Sequence, residues 1–214
     1  MDLSEYRKDY LKDGLTRANA MEDPLKQFEH WFQQAVDADY PEPNAMSLAT
    51  VDTNMQPSIR TVLLKHFSAE GFVFFTNYQS RKAQDIEANP QVSILFPWIT
   101  LERQVIIKGH VEKISREESE QYFKSRPHSS QLGAWVSNQS SVVLNREFLA
   151  TKLDELDKEF KPGEVPLPEF WGGYRIKPES FEFWQGGPGR LHDRLYYSPA
   201  PNNSGEWSIE RLSP

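Results

Sequence analysis

The chain contains no cysteine. Disulfides, thiolate metal sites and cysteine nucleophiles are excluded together. Their absence fits a reducing compartment. No apolar run approaches the ~20 residues needed to span a bilayer. The opening Met-Asp-Leu-Ser-Glu-Tyr-Arg is charged and has no apolar h-region, so no secretory signal is expected. A soluble, cytoplasmic protein is the expectation, with no membrane partner. A positive excess is also lacking: 24 Lys and Arg stand against 31 Asp and Glu, a net charge of −7. Nothing in that balance points to nucleic acid. No G-x-G-x-x-G opens a helix, and neither G-x-x-x-x-G-K-[ST], H-E-x-x-H nor G-x-S-x-G occurs. Rossmann and P-loop nucleotide sites, zincin chemistry and the hydrolase nucleophile elbow drop out. The five histidines (His30, His66, His110, His128 and His192) have no metal-ligand spacing, so no metal is expected.

What is present suits one large domain of 214 residues, long enough to bury a core without staples. Residues 53–110 reverse the overall charge, with six Lys or Arg against four Asp or Glu. A small anionic ligand fits this better than a long polyanion. Aromatics make up 13% of the chain, six of them tryptophan. That suits a stacked planar ligand, and equally an aromatic core.

Residues 1–20 lack periodicity and read as a mobile arm. Residues 21–214 read as a single domain. Asp23-Pro24 forms an N-cap with proline at N1. Leu25, Phe28, Trp31, Phe32, Ala35 and Val36 then recur at helical spacing up to Tyr40-Pro. Strands are expected over 45–51, 59–67, 71–76, 92–98 and 104–114. Ser80 reads as the N-cap of a short helix over 81–88. Ser115-Arg-Glu-Glu118 reads as a capping box, and 146–160 as a charged helix. Strands return at 173–176, 180–185, 191–198 and 207–211. Their spacing predicts a barrel or sandwich, mainly β with peripheral helices, rather than βαβ repeats.

Two basic–hydroxyl clusters stand out. Arg60 and Lys65 begin and end one expected strand, and Phe75-Thr76 and Ser80-Arg81-Lys82 surround a helix start. A helix N-terminus flanked by cations suits a phosphate. It also suits a capped surface helix with solvated charges. Tyr122, Arg126 and Ser130 recur every four residues and share a face if the helix runs that far. Pro127 argues for a stop or bend near Arg126. Gln104 is either a plain strand residue or a donor to a heterocycle. Near the C-terminus lies Phe181-Glu-Phe-Trp-Gln-Gly-Gly-Pro-Gly-Arg190-Leu-His192-Asp-Arg194. Arg190, His192 and Arg194 are spaced two apart, so a strand there would turn all three to one face.

In order along the chain, Arg60 to Lys65, Phe75-Thr76, Ser80-Arg-Lys82, Glu102-Arg-Gln104, Tyr122, Arg126 and Ser130, Gln139-Ser140, Phe170-Trp-Gly-Gly173 and the C-terminal pattern resemble the pyridoxamine (pyridoxine) 5′-phosphate oxidases. The resemblance runs from Arg7-Lys-Asp-Tyr10 to Arg211-Leu-Ser-Pro214. It implies an FMN-binding split β-barrel, a homodimer and non-covalent FMN at the subunit interface. It also implies oxidation of pyridoxamine or pyridoxine 5′-phosphate by O2 to pyridoxal 5′-phosphate and H2O2, with NH3 from the amine.

By matching position, the resemblance assigns FMN to Arg60, Thr61, Val62, Leu63, Leu64 and Lys65, and to Phe75, Thr76, Arg81 and Lys82. Gln104, Gln139, Ser140, Trp184 and Arg194 complete that set. Substrate falls to Lys65, Tyr122, Arg126, Ser130, Arg190, Leu191 and His192, with Arg7 and Tyr10 closing over it. Arg190 and His192 are the implied catalytic pair, with His192 either positioning the ring or acting as a base. Phe75 departs from the tyrosine frequent in relatives. Thr16-Arg17-Ala18 is less basic than in some, so no regulatory site is inferred. The rival expectation is a non-catalytic split-barrel module that carries flavin or pyridoxal phosphate.

Overall fold

The computed structural model describes residues 1–5, 9–12, 14–136, 138–201 and 205–214. Helix α1 spans Pro24–Asp37, and the Asp23 carboxylate accepts from the Leu25 amide. Its apolar stripe, Phe28, Trp31 and Ala35, is buried. Phe28 meets Phe67, Phe72 and Phe96 edge to face, with centroids 4.9–5.1 Å apart. Such pairs add to the burial of the rings themselves.

The strands are β1 (Ala45–Val51), β2 (Pro57–Leu63), β3 (His66–Ser68), β4 (Gly71–Asn77), β5 (Gln91–Trp98) and β6 (Arg103–Lys113), then β7 (Trp171–Gln185), β8 (Asp193–Pro199) and β9 (Trp207–Leu212). Helix α2 is Arg81–Ala88. Helices α3 (Arg116–Ser125), α4 (His128–Val136) and α5 (Arg146–Glu159) follow β6. The sheet runs β2-β1-β5-β6-β7-β4-β3, with β8 on β7 and β9 on β8. Every pairing is antiparallel.

This order carries a closure argument. The two ends of the path, β2 and β3, are consecutive in sequence, separated by Leu64 and Lys65 alone. So short a joint forces the sheet to curl until its edges meet. The Leu64 amide still bonds back to Asn44, while the Lys65 amide bonds to Val73 on β4. The single strand expected over 59–67 is therefore two, broken where the chain crosses from the β1 ladder to the β4 ladder. Lys65 lies at that seam and not at the end of a strand.

The two strands expected at 173–176 and 180–185 are instead one, β7. Pro178 is accommodated because it sits opposite a register shift at Lys108/Gly109. Proline in sheets is found at such irregularities. Gly109 is needed there, since a Cβ would fall 2.0 Å from the Lys177 carbonyl oxygen.

The main core lies inside the curl, with Met46, Leu48, Phe72, Phe74, Ile94, Phe96, Ile107 and Phe183. A second, smaller cluster of Phe123, Leu132, Val165 and Trp171, joined by Phe75 and Tyr122, sits under α3 and α4. No helix of the described residues is long and apolar enough to cross a membrane.

Candidate active site

The seam between β2 and β4 opens into a cavity of about 670 Å³. Arg60, Thr61, Val62 and Leu63 of β2 line one side, with Lys65 beyond them. Phe75 and Thr76 of β4 and Lys82 of α2 line the adjoining wall, with Gln139 from the segment after α4. Tyr122, Arg126 and Ser130 close the far end, over Trp171, Gly133 and Ala134.

The first end is wired by hydrogen bonds. Lys82 Nζ donates to Gln139 Oε1 at 2.6 Å, Thr76 Oγ1 at 3.1 Å and Ser80 Oγ at 3.2 Å. The Thr76 hydroxyl donates to the same Gln139 oxygen at 3.0 Å. Burial, with the Arg60 charge adding to it, pulls the Lys82 ammonium down to about 8. Two cations crowded together with part of their hydration removed favour an incoming anion. Ser80 stands at the N-cap of α2 with extended backbone, as expected. Its side chain makes no capping bond, however, and accepts from Lys82 instead. The first helical amide, Arg81 N, donates to Ser140 Oγ at 3.3 Å. Arg81, Gln139 and Ser140 line a cleft of their own beside the cavity.

The other end is built on a broken helix. The conditional expectation of one helix carrying Tyr122, Arg126 and Ser130 is replaced by two helices. α3 stops at Ser125, Arg126 is extended (φ −73°, ψ 149°), and α4 begins at His128. Pro127 disfavours helical geometry at the residue before it. Gln131 Nε2 ties the joint by donating to the carbonyls of Lys124 and Arg126. All three side chains nevertheless reach the cavity. The Arg126 guanidinium lies 4.7 Å from the Trp171 ring centroid, and its NH1 is buried with no hydrogen-bond partner among the described residues. Burial pulls its pKa below the usual arginine value. Phe75 stacks on Tyr122 at 3.9 Å and on Trp171 at 5.3 Å. A half-buried cation with a buried, unused donor is costly unless an anion arrives.

The C-terminal residues form a second group, and none of them lines this cavity. Gln104, Trp184 and Arg194 stand in one cross-strand row of β6, β7 and β8. His192 packs on Trp184 at 4.7 Å, and its Nδ1 accepts from the Gly187 amide at 3.2 Å. Tyr10 meets Trp184 at 5.7 Å and His192 at 5.6 Å. Gly186 permits this, because a Cβ there would fall 2.6 Å from Tyr10 Cγ. Arg194 donates through Nε to Glu182 at 2.8 Å and through NH1 to the Ser213 carbonyl.

One expectation fails here. Arg190, His192 and Arg194 do not alternate along a strand. Residues Pro188–Arg190 form a 3₁₀ turn, with Gly189 (φ 61°) and Arg190 (φ 63°) in the left-handed region, and β8 begins only at Asp193. Arg190 and Leu191 are exposed on that turn. Leu64 is packed in the core, and Arg7 lies outside the described residues.

The segment read as an arm makes specific contacts. The amides of Leu11 and Lys12 donate to the Glu102 carboxylate. The Leu15 amide donates to Asp193, and Leu15 itself is buried. Among the cavity residues, sequence reasoning assigned no role to Trp171, Gly133 and Ala134. Trp171 was visible inside the Phe170-Trp-Gly-Gly173 motif, whereas nothing local marked the other two.

Known proteins align with this geometry. Residues 32–158 match the family model described as pyridoxamine 5′-phosphate oxidase. Residues 171–214 match that of a pyridoxine 5′-phosphate oxidase C-terminal dimerisation region. A protein of Crocosphaera subtropica called pyridoxine/pyridoxamine 5′-phosphate oxidase is 58% identical over all of both chains. One of the same name from Aliarcobacter butzleri is 56% identical, again over all of both. The crystal structure of PhzG from Burkholderia lata superposes with a TM-score of 0.86, at 27% identity over 94% of this chain and 98% of that one. An FMN-binding protein of Nostoc punctiforme described as pyridoxamine 5′-phosphate oxidase-related shares the fold, with a TM-score of 0.71 at 18% identity over 90% of this chain and 98% of that one.

The curled antiparallel sheet with peripheral helices is thus a split barrel. The chain belongs to the pyridoxamine 5′-phosphate oxidase family and is an enzyme of that family.

Proposed function

We propose that this enzyme is an FMN-dependent oxidase acting on pyridoxamine or pyridoxine 5′-phosphate. The products are pyridoxal 5′-phosphate and H2O2, with NH3 from the amine. The observation that carries this reading is one cavity lined by two cationic, hydroxyl-bearing groups on different elements: Arg60, Thr76 and Lys82, and Tyr122, Arg126 and Ser130. Cofactor and substrate each bring a phosphate, so the reaction needs two such groups and a planar space between them.

The donors fit FMN at the β2–β4–α2 end. Arg60, Lys82 and Thr76 would hold its phosphate, with Arg81 and Ser140 beside them. Thr61, Val62, Leu63, Leu64 and Phe75 belong to the segments that flank the ring, and Gln139 would bond its polar edge. Bound FMN supplies the acceptor for a hydride from substrate C4′, and O2 is the final oxidant. The chain's own task is placement. Tyr122, Arg126 and Ser130 would grip the substrate phosphate, the buried Arg126 NH1 supplying an unused donor. Lys65, at the seam, would lie between the two ligands.

Gln104, Trp184, Arg194, Arg190, Leu191 and His192, with Tyr10 and Arg7, would complete the cavity of a second copy. None of the described residues in this set lines the cavity of its own chain, which supports this, as does the dimerisation-region match over 171–214. The protein then acts as a homodimer with two shared sites.

The test is optical. Purified protein should be yellow, release free FMN on acid precipitation, bleach with pyridoxamine 5′-phosphate without air and recolour in air. Bound flavin that stays oxidised with both substrates would make the protein a carrier instead.

A further inference from the structure

Behind the Arg60 end of the cavity lies a buried network that the proposed chemistry does not use. Thr50 of β1 is fully buried, and Asp85 of α2 is 5% exposed. The Thr50 hydroxyl donates to Asp85 Oδ2 at 2.6 Å and accepts from Arg60 NH1 at 2.7 Å. The same NH1 donates to the Leu48 carbonyl at 3.1 Å. Arg60 NH2 stands 3.6 Å from that Asp85 oxygen. Both NH1 protons are thus committed to the protein. Nε and NH2 have no hydrogen-bond acceptor among the described residues.

A carboxylate beside an anion pocket opposes the anion by simple Coulomb repulsion. Its presence calls for a different role. A free arginine side chain samples many rotamers, and a ligand that must first order such a side chain binds more weakly. Here the ordering is done in advance, by a hydroxyl and a carboxylate that are themselves locked to each other. Arg60 and Lys82 together still outweigh Asp85, so the pocket keeps a net positive charge.

We propose that Thr50 and Asp85 are positioning residues. They hold the Arg60 guanidinium ready for the flavin phosphate, and so set the preference for FMN over the unphosphorylated flavin. This rests on the reading that Arg60 and Lys82 receive that phosphate.

The experiment compares FMN with riboflavin, titrated into apo-protein and followed by flavin fluorescence. Thr50→Val keeps shape and charge and removes both hydrogen bonds. Kd for FMN should rise about tenfold, the scale of one charge-assisted hydrogen bond, while Kd for riboflavin stays put. Asp85→Asn serves the same purpose if Thr50→Val does not fold. It should also lower the ratio of FMN affinity to riboflavin affinity, whereas charge removal alone would raise it. An unchanged or raised affinity ratio, or equal weakening of both flavins, overturns the inference. A wild-type protein that binds riboflavin as tightly as FMN would instead refute the phosphate assignment, and this inference with it.

Discussion

The two halves of the candidate site are built differently. In the cavity at the β2–β4 seam, Arg60, Lys82 and Arg126 are half-buried and already held by protein contacts. Lys82 is tied to Thr76, Ser80 and Gln139, and Arg60 to Thr50 and Leu48. Arg126 is pressed against Trp171. In the C-terminal group, Arg190, Leu191, Trp184 and Tyr10 show few such ties. His192, Trp184 and Tyr10 lean on one another, while Arg190 and Leu191 stand on an exposed turn. One half is organised for anions, and the other presents aromatic and cationic groups outward. On the proposed reading, the difference teaches that a chain can carry a pocket for its own ligands and, elsewhere, the cover for a second copy's.

The largest effect should come from the far end of the cavity. Arg126→Ala removes a half-buried cation whose contacts would persist from ground state to transition state. KM for pyridoxamine 5′-phosphate should rise roughly 10- to 150-fold, from the 1.5–3 kcal/mol of hydrogen bonds to charged groups. FMN titration should be unchanged. Loss of flavin with KM intact would exchange the two ends of the cavity.

The cover should act by placement rather than by proton transfer. His192→Asn should slow anaerobic flavin reduction by up to about 10²-fold, the cost of a small misplacement. Its stopped-flow pH profile should match wild type. A variant that loses a titration along with its rate would make His192 a base.

A smaller effect belongs to Lys82, held at about 8 in the free protein. A phosphate beside it favours the protonated form. Above that pH, FMN binding must take up a proton, so affinity falls as pH rises. The limit for one proton is about tenfold per pH unit. Apo-protein titrations from pH 7 to 9 should show the fall, and Lys82→Met should flatten it.

Local signals were legible where one residue decides the backbone. Asp23-Pro24 starts α1, and Ser115 with Glu118 forms a reciprocal capping box. The chemistry of the cavity was legible too, because cations and hydroxyls clustered in short segments. Long-range compensation was not. Pro178 read as a break because its partner irregularity at Gly109 lies on another strand. Helix α4 was missed because Pro127 and Gly133 obscure its start and middle, and its small residues give it little amphipathic pattern. R-x-H-x-R alternates in sequence, so Arg190 reads as strand although it belongs to the turn before it. Nothing local announced that Arg190 takes a left-handed conformation. Nothing local marks Asp85, whose carboxylate accepts from Thr50 on β1.

The central claim is that each working site joins the cavity of one chain to the cover of another, and subunit mixing tests it directly. Lys82→Ala damages only the cavity and Trp184→Ala only the cover. Assayed with FMN too dilute to fill the Lys82→Ala cavity, each variant alone should be nearly inactive. Unfolded together and refolded at equal ratio, they form mixed dimers in which one site collects both lesions and the other none. Under two-fold symmetry and random pairing, activity should recover to about a quarter of wild type. If each site were built from one chain, every site in the mixture would carry a lesion, and activity would stay at the level of the separate variants.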